Sequence, residues 1–211
     1  MKAAIASLIA TTTVTGAFAQ VAPGHFGEPK GMVQSRWDAT REIAACVVKV
    51  DEAGAANLAG TRVADLPKKL PPSMQGALGR CIDRRRASLT LNSVELRGVL
   101  AEYLMVAEPM RMRTAALRVR APARVSPLGV DNGTVQELLV DCAVAAEPKA
   151  ASALIATPAG SAEERTAIAP LAGALQGCAP AEGAVHFTPA LLRAHVAAAL
   201  YRQVAAPAAG V

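Results

Sequence analysis

The chain carries the same pattern twice. Residues from Arg41 to Val106 set out a scheme that returns between Gln136 and Gln203 at an offset close to 96 residues. Each copy has one cysteine in an early apolar stretch, a second about thirty-five residues on, and a closing amphipathic segment. Self-similarity at a fixed period reports architecture before any site chemistry does. Leu154 answers Leu58, Thr157 answers Thr61 and Arg193 answers Arg97, all at an offset of 96. Gly173-Ala-Leu175 and Cys178 answer Gly76-Ala-Leu78 and Cys81 at 97, so one extra residue enters the second copy's middle loop. It is lost again before Val185-His-Phe187-Thr188, which answers Leu89-Thr-Leu91-Asn92.

The duplication decides how to read the cysteines. The four are Cys46, Cys81, Cys142 and Cys178. An even count behind an export signal reads as disulfides. Four cysteines allow three pairings, but two copies that fold alike each close their own bridge. The expected bridges are therefore Cys46–Cys81 and Cys142–Cys178, each worth about 3–4 kcal/mol by loop entropy. No Cys-x-x-Cys pair exists, and His25, His186 and His195 share no ligand spacing with the cysteines, so no metal site or cofactor is expected.

The export signal is the N-terminus. Met1-Lys2, an apolar run to Val14 and Ala17-Phe18-Ala19 form a positive start, a short apolar core and an A-x-A site. Residues 1–19 are read as a signal peptide. The run is too short and too rich in threonine for a spanning helix. Residues 20–36, with Pro23-Gly24 and Pro29, are read as irregular.

The first unit spans 37–107. A helix starts near Trp37, with Asp38 or Thr40 as cap and Ile43, Cys46, Val47 and Val50 as its stripe. A short helix follows over about 54–61, then a loop with Pro67, Pro71 and Pro72, which are barred from a helix interior. The next helix covers Ser73 to Arg84. Ser88 to Asn92 alternates as a short strand does. Ser93 opens a last helix striped by Leu96, Leu100, Tyr103 and Leu104. Residues 108–135 are a linker, 136–203 the second unit, and 204–211 a frayed tail. A unit of this size is marginal alone, so the two units are expected to bury their stripes against each other. The predicted fold is mainly α: two homologous, disulfide-stapled units packed as a pseudo-twofold pair, each with one short strand.

Composition limits the core and the partners. Aromatic residues are only 3% of the chain, so alanine, leucine and valine must fill the interior. The net charge of +5 is uneven: +3 over 41–107, +3 over 108–135 and −2 over 136–203. Arg80, Arg84, Arg85 and Arg86 form the densest basic cluster. Arg111, Arg113, Arg118, Arg120 and Arg124 form a looser one in the linker. Together they fit a salt-sensitive contact with an anionic envelope polymer or a membrane surface. No aromatic residue interleaves with them, so nucleic acid is not expected. The second copy replaces Arg84–Arg86 with a neutral-to-acidic stretch around Pro180-Ala-Glu182.

Arg97 and Arg193 allow two readings. One is an anion contact at the start of each last helix. The other is a guanidinium laid on a carbonyl or carboxylate of its own repeat, such as Glu42 or Glu137. For catalysis there is no Gly-x-Ser-x-Gly, no His-Glu-x-x-His and no phosphate loop. A site assembled in space around His186 or His195 remains the enzyme alternative, and a carrier with an alanine-lined gap between the copies is another.

Cys46-Val-Val, Gly76-Ala-Leu-Gly-Arg-Cys81 and Leu96-Arg-Gly-Val-Leu-Ala-Glu-Tyr103, loosely repeated later, resemble bacterial exported proteins of unassigned function with a duplicated cysteine-pair helical repeat. The resemblance covers about residues 37–203. It implies export and a repeat architecture, and carries no catalytic residue.

Overall fold

The computed structural model describes residues 30–82, 92–107, 131–179 and 185–205, with side chains from Trp37 onward. Within these residues the chain forms eight α-helices in two halves. The first half holds α1 (Lys30–Val50), α2 (Glu52–Gly60), α3 (Pro72–Cys81) and α4 (Ser93–Ala107), with a short 3-10 turn at Val63–Asp65. The second holds α5 (Asn132–Ala146), α6 (Pro148–Ala156), α7 (Ala162–Cys178) and α8 (Pro189–Ala205).

The helix starts follow local chemistry. The Asp51 carboxylate accepts from the Gly54 amide at 2.9 Å and opens α2, and Pro148 takes the first position of α6. Asn92 and Thr188, 96 residues apart, play one part in both halves. The Asn92 side chain accepts from Glu95 N–H at 2.7 Å, and the Thr188 hydroxyl from Leu191 N–H at 3.2 Å. Each satisfies an amide left open at the start of the last helix.

Five boundaries differ from the sequence reading. One is the end of α8, which runs through Ala205 and takes in the first two residues of the expected tail. α1 begins at Lys30, so residues 30–36 are helical and Asp38 and Thr40 lie inside the helix; a proline just ahead of a helix is as compatible with its start as with an irregular segment. The second helix opens at Glu52, because Asp51 caps it. α3 gives way at Ile82, which has extended backbone. α5 takes over the last residues assigned to the linker: Asp131 Oδ1 accepts from Thr134 N–H at 3.0 Å, so Asp131-Asn-Gly133 starts a helix rather than a free turn.

No strand forms among the described residues. Ser88 to Leu91 of the first expected strand lie outside them. Val185 to Thr188 form no strand, with a single β-bridge at Phe187. Alternation over four residues also suits a helix lead-in that buries every second side chain: Val185 and Phe187 are buried, His186 and Thr188 exposed. The signal-peptide segment, the greater part of the linker and residues 206–211 likewise fall outside the described part.

Packing follows one scheme in both halves. α1 packs on α3 and α4 as α5 packs on α7 and α8, and α2 packs on α4 as α6 packs on α8. The largest interface joins α4 to α8, across the two halves. These two helices carry no wide polar face. α4 buries Leu96 to Glu102, and α8 buries every residue from Leu192 to Tyr201. A helix apolar all round belongs at the centre of a domain.

Alanine makes that centre possible. A Cβ added to Gly98 on α4 would lie 2.3 Å from Ala194 Cα and 2.4 Å from Ala194 Cβ on α8. The backbones are therefore in direct contact where these two residues, themselves 96 apart, face each other. At this point no gap exists for a ligand between the halves. Short side chains gain little by burial each, and the bridges add covalent restraint. Cys46–Cys81 joins α1 to the end of α3, and Cys142–Cys178 joins α5 to the end of α7. Their Cα–Cα distances, 5.7 and 6.0 Å, are ordinary for disulfides.

Candidate functional site

Two charged clusters lie inside the helical core, each built around one of the paired arginines. Arg97 and Arg193 are both fully buried. Each guanidinium donates to the carbonyl of the equivalent threonine in its own half: Arg97 Nη1 to Thr61 O at 2.8 Å, and Arg193 Nη2 to Thr157 O at 2.8 Å. Those carbonyls stand where α2 and α6 end, and a helix C-terminus leaves carbonyls open. Neither arginine is available to an external anion, which removes both from the candidate anion contacts.

Each arginine meets one carboxylate from the opposite half. Arg97 Nη1 donates to Glu137 Oε1 on α5 at 2.6 Å. Arg193 grips Glu102 on α4 through Nε and Nη2, at 2.7 and 3.0 Å. The acids hold non-equivalent positions. Glu137 corresponds to Arg41, and Glu102 corresponds to Ala198. Arg41 instead approaches Glu102 at 3.6 Å. One arginine position is shared by both halves, and its counter-charge has changed helices.

The two clusters differ in charge balance. Around Arg193, Glu102 is joined by Glu164 on α7, whose Oε1 accepts from Arg193 Nη1 at 3.0 Å. The other Glu164 oxygen accepts from Gly160 N–H at 2.5 Å. That fixes the turn in which Gly160 has φ 75°, a conformation glycine takes without strain. Trp37 lays its ring 5.7 Å from the Arg193 guanidinium. Burial alone would make Arg193 less basic, but hydrogen bonds and charge from Glu102 and then Glu164 outweigh it and raise its pKa.

Around Arg97 the cations are in excess. Glu137 is shared with Arg202 of α8, whose Nη1 lies 2.7 Å from Glu137 Oε1. Arg202 Nη2 donates to Asp141 at 2.5 Å, and Arg62, half exposed, reaches the other Asp141 oxygen at 3.3 Å. Glu137 Oε2 accepts from Val63 N–H at 2.9 Å and ties the 3-10 turn to α5. Burial lowers the Arg97 pKa, and Glu137 does not fully restore it. Burial would raise the Glu137 carboxyl, yet Arg202 and Arg97 hold it below the usual glutamate value.

His195 sits in the same cluster, at the position of Val99. It is 1% exposed, its Nδ1 is 3.4 Å from Arg97 Nη2, and its ring meets Phe187 edge-on with centroids 6.2 Å apart. Facing a guanidinium that only donates, Nδ1 must be the acceptor, so the neutral ring carries its proton on Nε2. Burial first, and then the positive charge of Arg97, lower its pKa to about 3. His186 is exposed and its carbonyl accepts from Gln136 Nε2 at 2.8 Å.

Of the other candidates, Arg80 is exposed on α3 next to the Cys46–Cys81 bridge. Arg84, Arg85, Arg86 and the linker arginines lie outside the described residues. Sequence reasoning passed over Glu102, Glu164, Asp141 and Arg202. The signal for Glu102 was present: a single carboxylate between Leu100 and Leu104 on an apolar helix requires a partner. Among the described residues no group of His, Cys, Asp and Glu could hold a metal ion, and no helix is long and apolar enough to cross a membrane. No family model, curated protein or solved structure matches the chain.

Proposed function

We propose that the chain is an exported, non-enzymatic interaction module of the cell envelope, and that the basic surface of its first half meets an anionic partner. In this reading two homologous units are related by a pseudo-twofold axis near Gly98 and Ala194, and export follows the signal-like N-terminus and the resemblance to bacterial exported proteins. The two disulfides suit an oxidising compartment.

One observation carries the proposal. The buried arginines are consumed by internal carboxylates, while exposed bases are more numerous on the first half than on the second, where Lys149 and Arg165 are exposed. Lys49, Lys68, Lys69 and Arg80 are all exposed. The second half has Ala145, Glu164, Arg165 and Gly177 at the matching positions. The duplication thus retained the internal cations and lost three of the four outer ones, Arg165 keeping the charge of Lys69. Long-range attraction of this kind acts through summed surface charge and is screened by salt.

The test is co-sedimentation of the chain from Gln20 onward with vesicles of anionic and of zwitterionic lipid, and with an anionic polysaccharide, at about 20 and about 300 mM salt. Screening lengths of roughly 20 and 6 Å separate the two conditions. Binding to an anionic target at low salt should be lost at high salt and weakened by the combined Lys49→Gln, Lys68→Gln, Lys69→Gln and Arg80→Gln variant. Absence of binding to every anionic target at low salt would overturn the proposal.

A further inference from the structure

His195 is the one buried histidine among the described residues, and it stands where the two halves meet. Its surroundings admit only the neutral ring. On α4, Arg97 points a donor at Nδ1 from 3.4 Å. On α5, Glu137 is already engaged by Arg97 at 2.6 Å and by Arg202 at 2.7 Å. Asp141, also on α5, is held by Arg202 and Arg62. Arg202, on α8 itself, adds a second positive charge. Phe187, ahead of α8, offers a ring edge. α2 and α6 also pack on α8, but their charged residues Glu52 and Lys149 are exposed. His195 Nε2 is buried and has no hydrogen-bond partner. A second proton would have to go on Nδ1, directly against a guanidinium.

We infer that the seam between the halves is acid-sensitive: protonation of His195 separates α8 from α4 and exposes their apolar faces, while the two disulfides keep α1 on α3 and α5 on α7. The opened form can hydrate the imidazolium, and the closed form cannot. Val99, Leu100 and Leu104 of α4 and Val196 and Leu200 of α8 are among the buried apolar side chains of these two helices. Val99 replaces the histidine in the first half, so the device belongs to the second half alone.

The sign is fixed by linkage. The folded-state pKa of His195, about 3, lies below the roughly 6.5 of a free histidine. The open state therefore binds the proton more tightly, and closure is favoured less as pH falls from about 6.5 toward 3. The open-to-closed ratio should rise by up to about tenfold per pH unit in that window.

Hydrogen exchange of the folded chain, followed by mass spectrometry at pH 7, 6 and 5 and corrected for intrinsic rates, reads that ratio. Amides of α4 and α8 should lose up to about tenfold in protection per unit below pH 6.5, with α3 and α7 unchanged. In His195→Gln, which keeps an acceptor toward Arg97 but does not titrate, the loss should vanish. Equal losses in both proteins, no loss in wild type, or a uniform loss over all helices would each overturn the inference. Should the glutamine variant not fold, NMR titration of His195 in a His25→Gln, His186→Gln protein decides. A ring that stays neutral to about pH 4.5 while folded supports the inference, and one that titrates near 6.5 in the folded protein sinks it.

Discussion

Arg97 and Glu137 form an ion pair at 2.6 Å between the two halves, with side chains 0% and 2% exposed. It joins α4 of one half to α5 of the other, and it links sequence positions forty residues apart. A pair this dry carries a heavy desolvation cost, and is more informative about which helices must meet than about net stability.

Breaking the pair should therefore cost more than replacing it. Glu137→Ala strands Arg97 and shifts Arg202 onto Asp141 alone, and is expected to destabilise by about 3–5 kcal/mol. The double variant Arg97→Met, Glu137→Leu should recover at least half of that loss. Urea unfolding of both variants checks the prediction, and additive losses would count against a shared buried pair.

Glycine at the helix crossing should be irreplaceable. Gly98→Ala puts a Cβ 2.3 Å from a backbone atom of α8, so the central helices must part; a loss of about 1–3 kcal/mol or more is expected. Ala194→Gly should not rescue it, because the Ala194 Cα and carbonyl remain in the way. Gly79→Ala on exposed α3, where nothing lies within 4 Å, should instead stabilise by about 0.5–1 kcal/mol. Thermal melts of the three variants separate packing from propensity.

The bridges should be confined to their halves. Non-reducing peptide maps are expected to contain Cys46–Cys81 and Cys142–Cys178 and no peptide joining the halves. Replacing either pair by serine should cost about 2–5 kcal/mol. A recovered Cys46–Cys142 peptide would contradict the arrangement.

Strong acid should attack a different group from the histidine. The Glu137 carboxyl is held below its ordinary value, with Arg202 and Arg97 outweighing burial. Its contribution is present in full above about pH 4.5 and fades as pH falls through the lowered folded value. In Glu137→Gln the stability loss below about pH 4.5 should be shallower than in wild type, although the variant starts less stable. Denaturant midpoints between pH 3 and 6 show whether the two curves converge.

The sequence alone settled what local pattern and duplication can express. The helical class, the cysteine partners and the equivalence of Arg97 with Arg193 all follow from spacing within one chain. The caps at Asp51 and Asn92 act on amides a few residues away and so are local in origin, yet the sequence reading places Asn92 in a strand and begins the second helix at about 54. The second short strand did not form because alternation over four residues also fits a helix lead-in with one buried side. Only the tertiary structure decided that the two arginines are interior, and which acids meet them. Glu137 and Glu102 reach them from the opposite half, and the energy that places a buried charge depends on every helix around it. The role of His195 is of the same kind. A histidine in place of Val99 says little until Arg97, Glu137 and Arg202 are seen to surround it, because desolvation and nearby charge are properties of the packed core.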